Sequence, residues 1–436
     1  MDLFIHFHGK PCGLLTIEDE RMRFQYLTDY VTSNGPPLSV AMPVREEPWP
    51  DASTFPFFEN LLPEGVIRDL LATELGTANN NFAQLLKATG GDVAGAITIE
   101  SSSTPPLTDA APRQPALNDD TLGDLVERIK THPFLPDNML GMRLSLAGAQ
   151  NKLPVVLDDD GALHLPGRHP STHILKPPSD RFPALVENEM LCMRAAASAG
   201  LDVPNVRLVP FRNAEGAEHD CYVVTRYDRL TDATGNTQRL HQEDTCQIMG
   251  IPSARKYSQD GGPRFGDLFR ILRQFSTPAA LHQQELIKRI LFNLLIGNQD
   301  AHGKNFSLLH TGRNVVLSPA YDLVCTLVYD ALGDRMAMSI GDAWYLGTLD
   351  AAAMTAFQEE TGVALRRQAG VLRRFIDHAE SAVAHEAQVL INDTAPASHA
   401  TLERIVRIAN SYSSIREVTN NIDFFYSGGN NITRSC

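Results

Sequence analysis

Asn298-Gln-Asp-Ala-His-Gly-Lys-Asn-Phe-Ser307 places a carboxylate, Asp300, five positions before an amide, Asn305. Seventeen residues beyond Asn305 comes a second carboxylate, Asp322, in Ser318-Pro-Ala-Tyr-Asp-Leu323. Taken singly, Asp300 reads as a loop cap, Asn305 as a turn residue and Asp322 as an N-cap or turn. Their ordered spacing, with Lys304 beside them, points to a shared task. A carboxylate that accepts a hydroxyl proton, with an amide and a second carboxylate offering oxygen to a divalent cation, is the minimum equipment for phosphoryl transfer.

The flanking sequence supports that reading. Ile287, Ile290, Leu291, Leu294 and Leu295 fall at i, i+3, i+4, i+7 and i+8, the apolar stripe of a buried helix over 285–297 that Gly297 ends. Asp300 then lies in the loop after the helix. Segments 306–309, 311–314 and 315–317 read as a hairpin leading to Asp322. Helix, loop, hairpin and metal-type Asp follow in the order of a protein-kinase C-lobe, and the Asp300–Asn305 spacing is that of its catalytic loop. His302 reads as a structural or nucleotide-contacting residue, since Asp300 holds the position of the base. Lys304 and Tyr321 are candidate nucleotide neighbours.

Such chemistry also needs a lysine on an upstream strand, oriented by an acid on a helix. Lys176 ends the apolar run Thr172-His-Ile-Leu-Lys176, and Glu187 and Glu189 open the next helical stretch, 188–199. Glu189 is the expected ion-pair partner. Ser145-Leu-Ala-Gly-Ala-Gln-Asn-Lys152 is a small-residue loop before the strand 153–157. Ala147, Gly148 and Ala149 would let its backbone approach phosphates, with Gln150 and Lys152 alongside. It is neither a Walker loop nor a GxGxxG. Thr225-Arg-Tyr-Asp-Arg229 follows a strand over 221–225 and suits a hinge: Thr225 and Tyr227 at the adenine, Asp228 near the ribose or phosphates. Gln242, Glu243 and Asp244 either shape this site or cap the next helix.

The bulk numbers set the frame. A chain of 436 residues exceeds one ordinary core. Its 43% hydrophobic and 21% charged content is that of a soluble globular protein, and no apolar run approaches a membrane span, so a cytoplasmic location is expected. The net charge of −14 disfavours unaided nucleic-acid binding, although Arg366, Arg367, Arg373 and Arg374 form a local basic group. Six scattered cysteines without a CxxC pair argue against zinc and against a disulfide framework. Strands over 3–8 and 14–17 open the chain. His6 and His8 share a strand face there, but no third ligand accompanies them, which favours a structural role. A helix over 66–75 and a strand near 90–99 follow, then a Ser/Thr/Pro-rich linker over 101–120. The expected fold is α+β and two-lobed, protein-kinase-like. It comprises a β-rich N-terminal subdomain (1–110), an N-lobe with phosphate loop and hinge (119–257), and a mainly helical C-terminal lobe (258–436).

Several motifs occur in order: Ser-Leu-Ala-Gly-Ala-Gln-Asn-Lys152, His-Ile-Leu-Lys176, Arg-Tyr-Asp-Arg229, Gln242-Glu-Asp-Thr-Cys-Gln247, Lys256-Tyr-Ser-Gln-Asp-Gly-Gly-Pro263 and Asp300-Ala-His-Gly-Lys-Asn-Phe-Ser307. With Phe57-Phe-Glu-Asn-Leu-Leu-Pro63 and Gly90-Gly-Asp-Val-Ala-Gly-Ala96, they make the chain resemble the HipA family. That family comprises serine/threonine-protein kinase toxins of bacterial type II toxin–antitoxin systems. The resemblance implies a kinase using ATP and Mg2+, with Asp300, Lys176, Asn305 and Asp322 as its catalytic set and Asn305 and Asp322 as its metal ligands. It implies autophosphorylation of Ser145, which expels the phosphate loop and silences the enzyme. It also implies a HipB-like helix-turn-helix antitoxin that binds operator DNA, and a translation protein, an aminoacyl-tRNA synthetase, as target in a growth-arrest or persistence response. Asn151 and Thr225 replace glutamates familiar in the family, and the segment between Lys176 and Glu189 is short. A catalytically silent antitoxin/operator scaffold and a small-molecule or lipid kinase stand as alternatives.

Overall fold

The strand Arg21–Tyr26 shows how the first residues fold: Met22, Phe24 and Tyr26 are buried while Arg21, Arg23 and Gln25 face out, the period-two pattern of a half-covered sheet. It forms one edge of an antiparallel sheet ordered Arg21–Tyr26, Lys10–Glu18, Asp2–Phe7, Ile97–Glu100. The helices Asp51–Glu59, Gly65–Glu74 and Phe82–Thr89 cover its apolar side, and Phe24, Phe57 and Phe58 sit fully buried in this core. These assignments come from a computed structural model, which describes residues 1–102, 114–131, 151–158, 160–167, 169–233, 235–312 and 314–411.

The chain divides into two compact units: Met1–Pro178, Pro204–Lys256 and Ser307–Ser318 make the first, and Ser179–Val203, Tyr257–Phe306 and Pro319–Cys436 the second. The first unit holds a second core, built on a six-stranded sheet ordered Ala116–Leu117, Leu163–His164, Leu153–Leu157, His173–Lys176, Glu218–Thr225, Val206–Arg212. The helix Asp119–Thr131 packs Leu122, Leu125, Val126 and Ile129 into that core. A three-stranded ladder, His241–Asp244, Ser307–Thr311, Asn314–Leu317, and a two-stranded one, Arg229–Thr231 with Thr237–Arg239, also belong to the unit.

This grouping departs from the expected boundaries in three places, the first being that 1–110 and most of 119–257 fall in one unit. The helix Leu185–Ser198, expected with the N-lobe, belongs to the second unit, where Asn188 donates to the Cys325 carbonyl and Arg194 and Ser198 bind Glu386. The hairpin 307–317, expected with the C-lobe, belongs to the first unit because Ser307–His310 pairs with His241–Asp244. Helices dominate the second unit. Phe265–Phe275 buries Phe265, Leu268, Phe269 and Leu272 along one stripe, and Ala279–Leu295 is buried on nearly every side over its last turns. Helices Ala351–Thr361, Ala369–Asp393 and Pro396–Ser411 follow. All five described cysteines are buried thiols.

Within the first unit, the two cores are joined by buried charge. Asp92 and Asp228 meet Arg226, Arg229 and Arg239 at 2.9–3.6 Å, with the side chains of Asp228, Arg226 and Arg229 no more than 3% exposed. Arg226 and Arg229 also donate to the Val93 carbonyl. The Gly95 amide donates to Asp228 Oδ2 at 2.7 Å. Gly95 has φ +79, and a Cβ there would lie 2.9 Å from His241 Nδ1, so only glycine serves. Two further carboxylates repeat the device. Glu59 binds Arg68 and the amide and hydroxyl of Ser253. Glu243 accepts from the Ser39 hydroxyl and the Val40 amide.

Burial alone would raise the Asp92 carboxyl, but Arg226, Arg239 and Arg229 outweigh it and hold it at about 2. The same balance, between burial on one side and Arg226 and Arg229 on the other, holds Asp228 well below the usual carboxylate range. A carboxyl depressed in the folded state stabilises the fold above its unfolded value near 3.8 and loses that contribution as pH falls through the folded value. For Asp92 this linkage is about 2 kcal/mol at ~1.4 kcal/mol per unit. Urea midpoints should therefore fall steeply between about pH 4 and pH 2. Asp92→Asn should flatten that descent and, by stranding buried guanidinium charge, cost roughly 3–5 kcal/mol at neutral pH. A wild-type-like midpoint for Asp92→Asn at neutral pH would contradict this role.

Candidate active site

The helix Ala279–Leu295 delivers the loop that carries Asp300. Its end is a Schellman turn: with Gly297 at φ +67, the Asn298 amide donates to the Asn293 carbonyl at 2.9 Å and the Gly297 amide to the Leu294 carbonyl at 3.2 Å. Asn298 then braces the loop in three directions. Its Oδ1 accepts the Asp300 amide at 3.1 Å, and its Nδ2 donates to Asn293 Oδ1 at 2.7 Å and, more weakly, to the Asp322 carbonyl at 3.4 Å. The Gln299 amide donates to Thr326 Oγ1 at 2.8 Å, and its carbonyl accepts from Ala337 at 2.9 Å. The backbone before Asp300 is thereby held, and after it the His302 amide donates to the Asp300 carbonyl at 2.8 Å, while the carboxylate is exposed and accepts from the Tyr257 hydroxyl at 2.7 Å.

Beyond Asp300 the loop tightens into a short 3-10 turn, Gly303–Asn305, with His302 and Lys304 buried. Tyr321 donates from its hydroxyl to the Lys304 carbonyl at 2.6 Å, which ties the 321–322 segment to the residue before Asn305. Asp322 has φ 52, in the left-handed region that Asp adopts more readily than most residues with a Cβ. Oδ1 of Asn305 is buried and finds no hydrogen-bond partner among the described residues. An uncompensated buried amide oxygen costs free energy unless something meets it, and a hard divalent cation does. The donor set of Asn305 and Asp322 thus fits magnesium. Asp300, Asn305 and Asp322 all lie in the second unit.

The other expected residues distribute as follows. Lys176 lies in the first unit, buried at 5% exposure, with its ammonium 5.7 Å from the Tyr222 ring centroid on the paired strand. Glu189 lies in the second unit, on the helix Leu185–Ser198, and is also buried. Thr225 ends its strand with its hydroxyl 3.1 Å from His173 Nε2. Burial, with Arg207 nearby, pushes His173 down to about 4, so this imidazole is neutral at physiological pH. Tyr227 donates to Gln242. Lys152 directly precedes the strand Leu153–Leu157. Ser145, Ala147, Gly148, Ala149 and Gln150 lie outside the described residues.

The structure corrects one assignment. Asp228, expected near the ribose or phosphates, has both carboxylate oxygens committed to Arg226, Arg229, Gly95 and Gln242 inside the ion cluster. It holds the fold together instead. Of the three residues left open, Asp244 caps the helix Thr245–Met249 in a capping box with Gln247, Glu243 anchors the Ser39–Val40 loop, and Gln242 joins Tyr227 to Asp228. Among the described residues, His241, Glu243 and His310 bring ligand-type atoms within 4.8 Å of one another. Protein groups already engage them: His241 Nε2 meets the Leu38 carbonyl, and His310 Nε2 meets Glu243. The roles of Thr326 and Tyr257, distant from Asp300 in sequence, carry no local signal, whereas Asn298, which accepts the amide two residues on, has the spacing of an Asx turn that could have been read.

If Asn305 Oδ1 awaits a cation, its removal should cost function and not folding. Asn305→Ala should melt within about 1 kcal/mol of wild type, since the buried oxygen makes no bond to lose. The magnesium concentration required for nucleotide binding, read by calorimetry, should rise at least ~10-fold.

Comparison with known proteins gives a consistent picture. The family profile described as "HipA N-terminal domain" matches residues 3–100, and that described as "HipA-like C-terminal domain" matches residues 144–386. Y4mE of Sinorhizobium fredii is 42% identical over 357 residues, spanning 80% of this chain and 83% of that protein. The serine/threonine-protein kinase toxin HipA of Shewanella oneidensis is 30% identical over 380 residues, spanning 83% and 84%. A chain of the solved Shewanella oneidensis complex of HipA, HipB and operator DNA superposes with a TM-score of 0.80 at 27% identity, covering 96% of this chain and 99% of that one. The fold is accordingly two-lobed and protein-kinase-like.

Proposed function

The chain belongs to the HipA family, and from that premise we propose that it is an ATP-dependent serine/threonine-protein kinase toxin with Asp300 as its base. The observation that carries this reading is the braced loop that presents an exposed Asp300 carboxylate five residues before the orphaned Asn305 oxygen. Asp300 takes the proton from the acceptor hydroxyl as that oxygen bonds to the γ-phosphorus and the bond to the ADP oxygen breaks. Asn305 and Asp322 would hold magnesium, which when bound would neutralise charge on the phosphate oxygens. We assign Lys176 and the loop 145–152 to the phosphates, Lys304, His302 and Tyr321 to the nucleotide, and Thr225 and Tyr227 to the adenine.

The acceptor is a translation protein, an aminoacyl-tRNA synthetase by family analogy, and Ser145 is the self-inactivating site. The partner is a HipB-like antitoxin, as in the Shewanella oneidensis complex with operator DNA. At a net charge of −14, this chain relies on that antitoxin for most of the phosphate-neutralising surface in operon repression. Among the described residues no helix is long and apolar enough to cross a membrane.

Incubated with ATP and magnesium, the wild-type chain should gain phosphate at Ser145, read by mass spectrometry. Asp300→Asn should lower the transfer rate by roughly 10²–10⁴-fold while ATP still binds. Equal transfer by the two proteins would remove Asp300 from the chemistry. The chain alone should leave operator duplex unshifted at about 0.15 M salt, and addition of the antitoxin should shift it.

A further inference from the structure

Tyr257 begins the second segment of the second unit and lies 43 residues from Asp300 in sequence, in the motif Lys256-Tyr-Ser-Gln-Asp-Gly-Gly-Pro263, to which the proposed chemistry assigns no task. Its hydroxyl donates to Asp300 Oδ1 at 2.7 Å. The ring stands edge-on to His302, with centroids 5.4 Å apart and planes at 83°. Its backbone is fixed by the rest of the motif: the Asp260 and Gly262 amides donate to the Tyr257 carbonyl at 3.0 and 2.9 Å, and Gly261 makes the turn at φ +80. Around Asp300 the backbone is pinned, yet the carboxylate is exposed and would otherwise rotate among its side-chain wells. The Tyr257 hydroxyl selects one of them and, among the described residues, leaves Oδ2 for the acceptor.

We propose that Tyr257 is a positioning residue for phosphoryl transfer: it holds the Asp300 carboxylate by Oδ1 so that Oδ2 meets the acceptor hydroxyl. This rests on the reading of Asp300 as the base. In the step it serves, the acceptor O–H bond breaks with its proton passing to Oδ2. The acceptor oxygen bonds to the γ-phosphorus, and the bond to ADP breaks with its electron pair staying on ADP. The Asp-Gly-Gly turn exists, on this view, to carry one phenol to one carboxylate oxygen.

The test compares full-length wild type, Tyr257→Phe and Asp300→Asn, using radiolabelled ATP with magnesium and reading label transfer to the chain itself. Tyr257→Phe keeps the ring against His302 and removes only the hydroxyl. Its maximal rate should fall roughly 10–100-fold, the scale of a misplaced reacting group. Its KM for ATP should stay within about twofold, because ATP binding does not use the phenol. Its melting temperature should match wild type, which a merely structural tyrosine would not predict alongside a lost rate. A wild-type maximal rate in Tyr257→Phe, with Asp300→Asn inactive, would overturn the positioning role and leave the base intact. A fall confined to KM for ATP would overturn it equally. Full transfer by Asp300→Asn, or no transfer by wild type with ATP bound, would remove the base and the tyrosine's role together.

Discussion

Two aspartates, Asp92 and Asp228, and the arginines at 226, 229 and 239 form the contact on which the first unit depends. Removing charges from water is costly, and such a cluster survives only if nearly every oxygen and N–H finds a partner. Here the partners come from two stretches of chain more than 130 residues apart: the loop after Gly91, with Val93 and Gly95, and the segment that follows the strand Glu218–Thr225. Apolar packing has no comparable demand for registry. A cluster of this kind fixes which loop of the N-terminal sheet meets which end of the second sheet. Glu59 with Ser253, Glu243 with Ser39 and Lys256 with Glu64 then extend the same seam.

The second unit shows the opposite economy at its reactive loop. Backbone groups around Asp300 are satisfied by Asn298, Thr326 and Ala337, whereas one group proposed for chemistry, the Asn305 amide oxygen, is left in a costly state. Asn305 Oδ1 is buried without a partner, and Asp322 sits at positive φ. Rigid surroundings are what allow such local cost to persist. The coverage of family relatives across most of the chain, with a TM-score of 0.80 to a HipA complex chain, fits a scaffold kept whole around this loop.

Much of this was legible locally. The apolar stripe of 287–295 and Gly297 announce a buried helix and its stop, because period 3.6 and a left-handed cap are properties of adjacent residues. The strands 153–157 and 173–176 read in the same way from β-branched runs. Short strands such as Leu163–His164 and Arg229–Thr231 carry too few residues for a period and exist only through their partners.

What the sequence by itself determined is the chemical inventory: Asp300, Asn305 and Asp322 in order, a lysine ending a strand, and motifs specific enough to mark the HipA family. Only the tertiary structure decided what each motif does. Asp228 looked like a nucleotide contact until Arg226, Arg229 and Gly95 were seen to enclose it. The motif that contains Tyr257 carried no sign that its hydroxyl donates to Asp300. Helix periods and caps depend on neighbours within a few residues, which sequence displays. Pairing of charges and hydroxyls depends on groups brought together from as far as 204 residues away, and no local pattern encodes such a meeting.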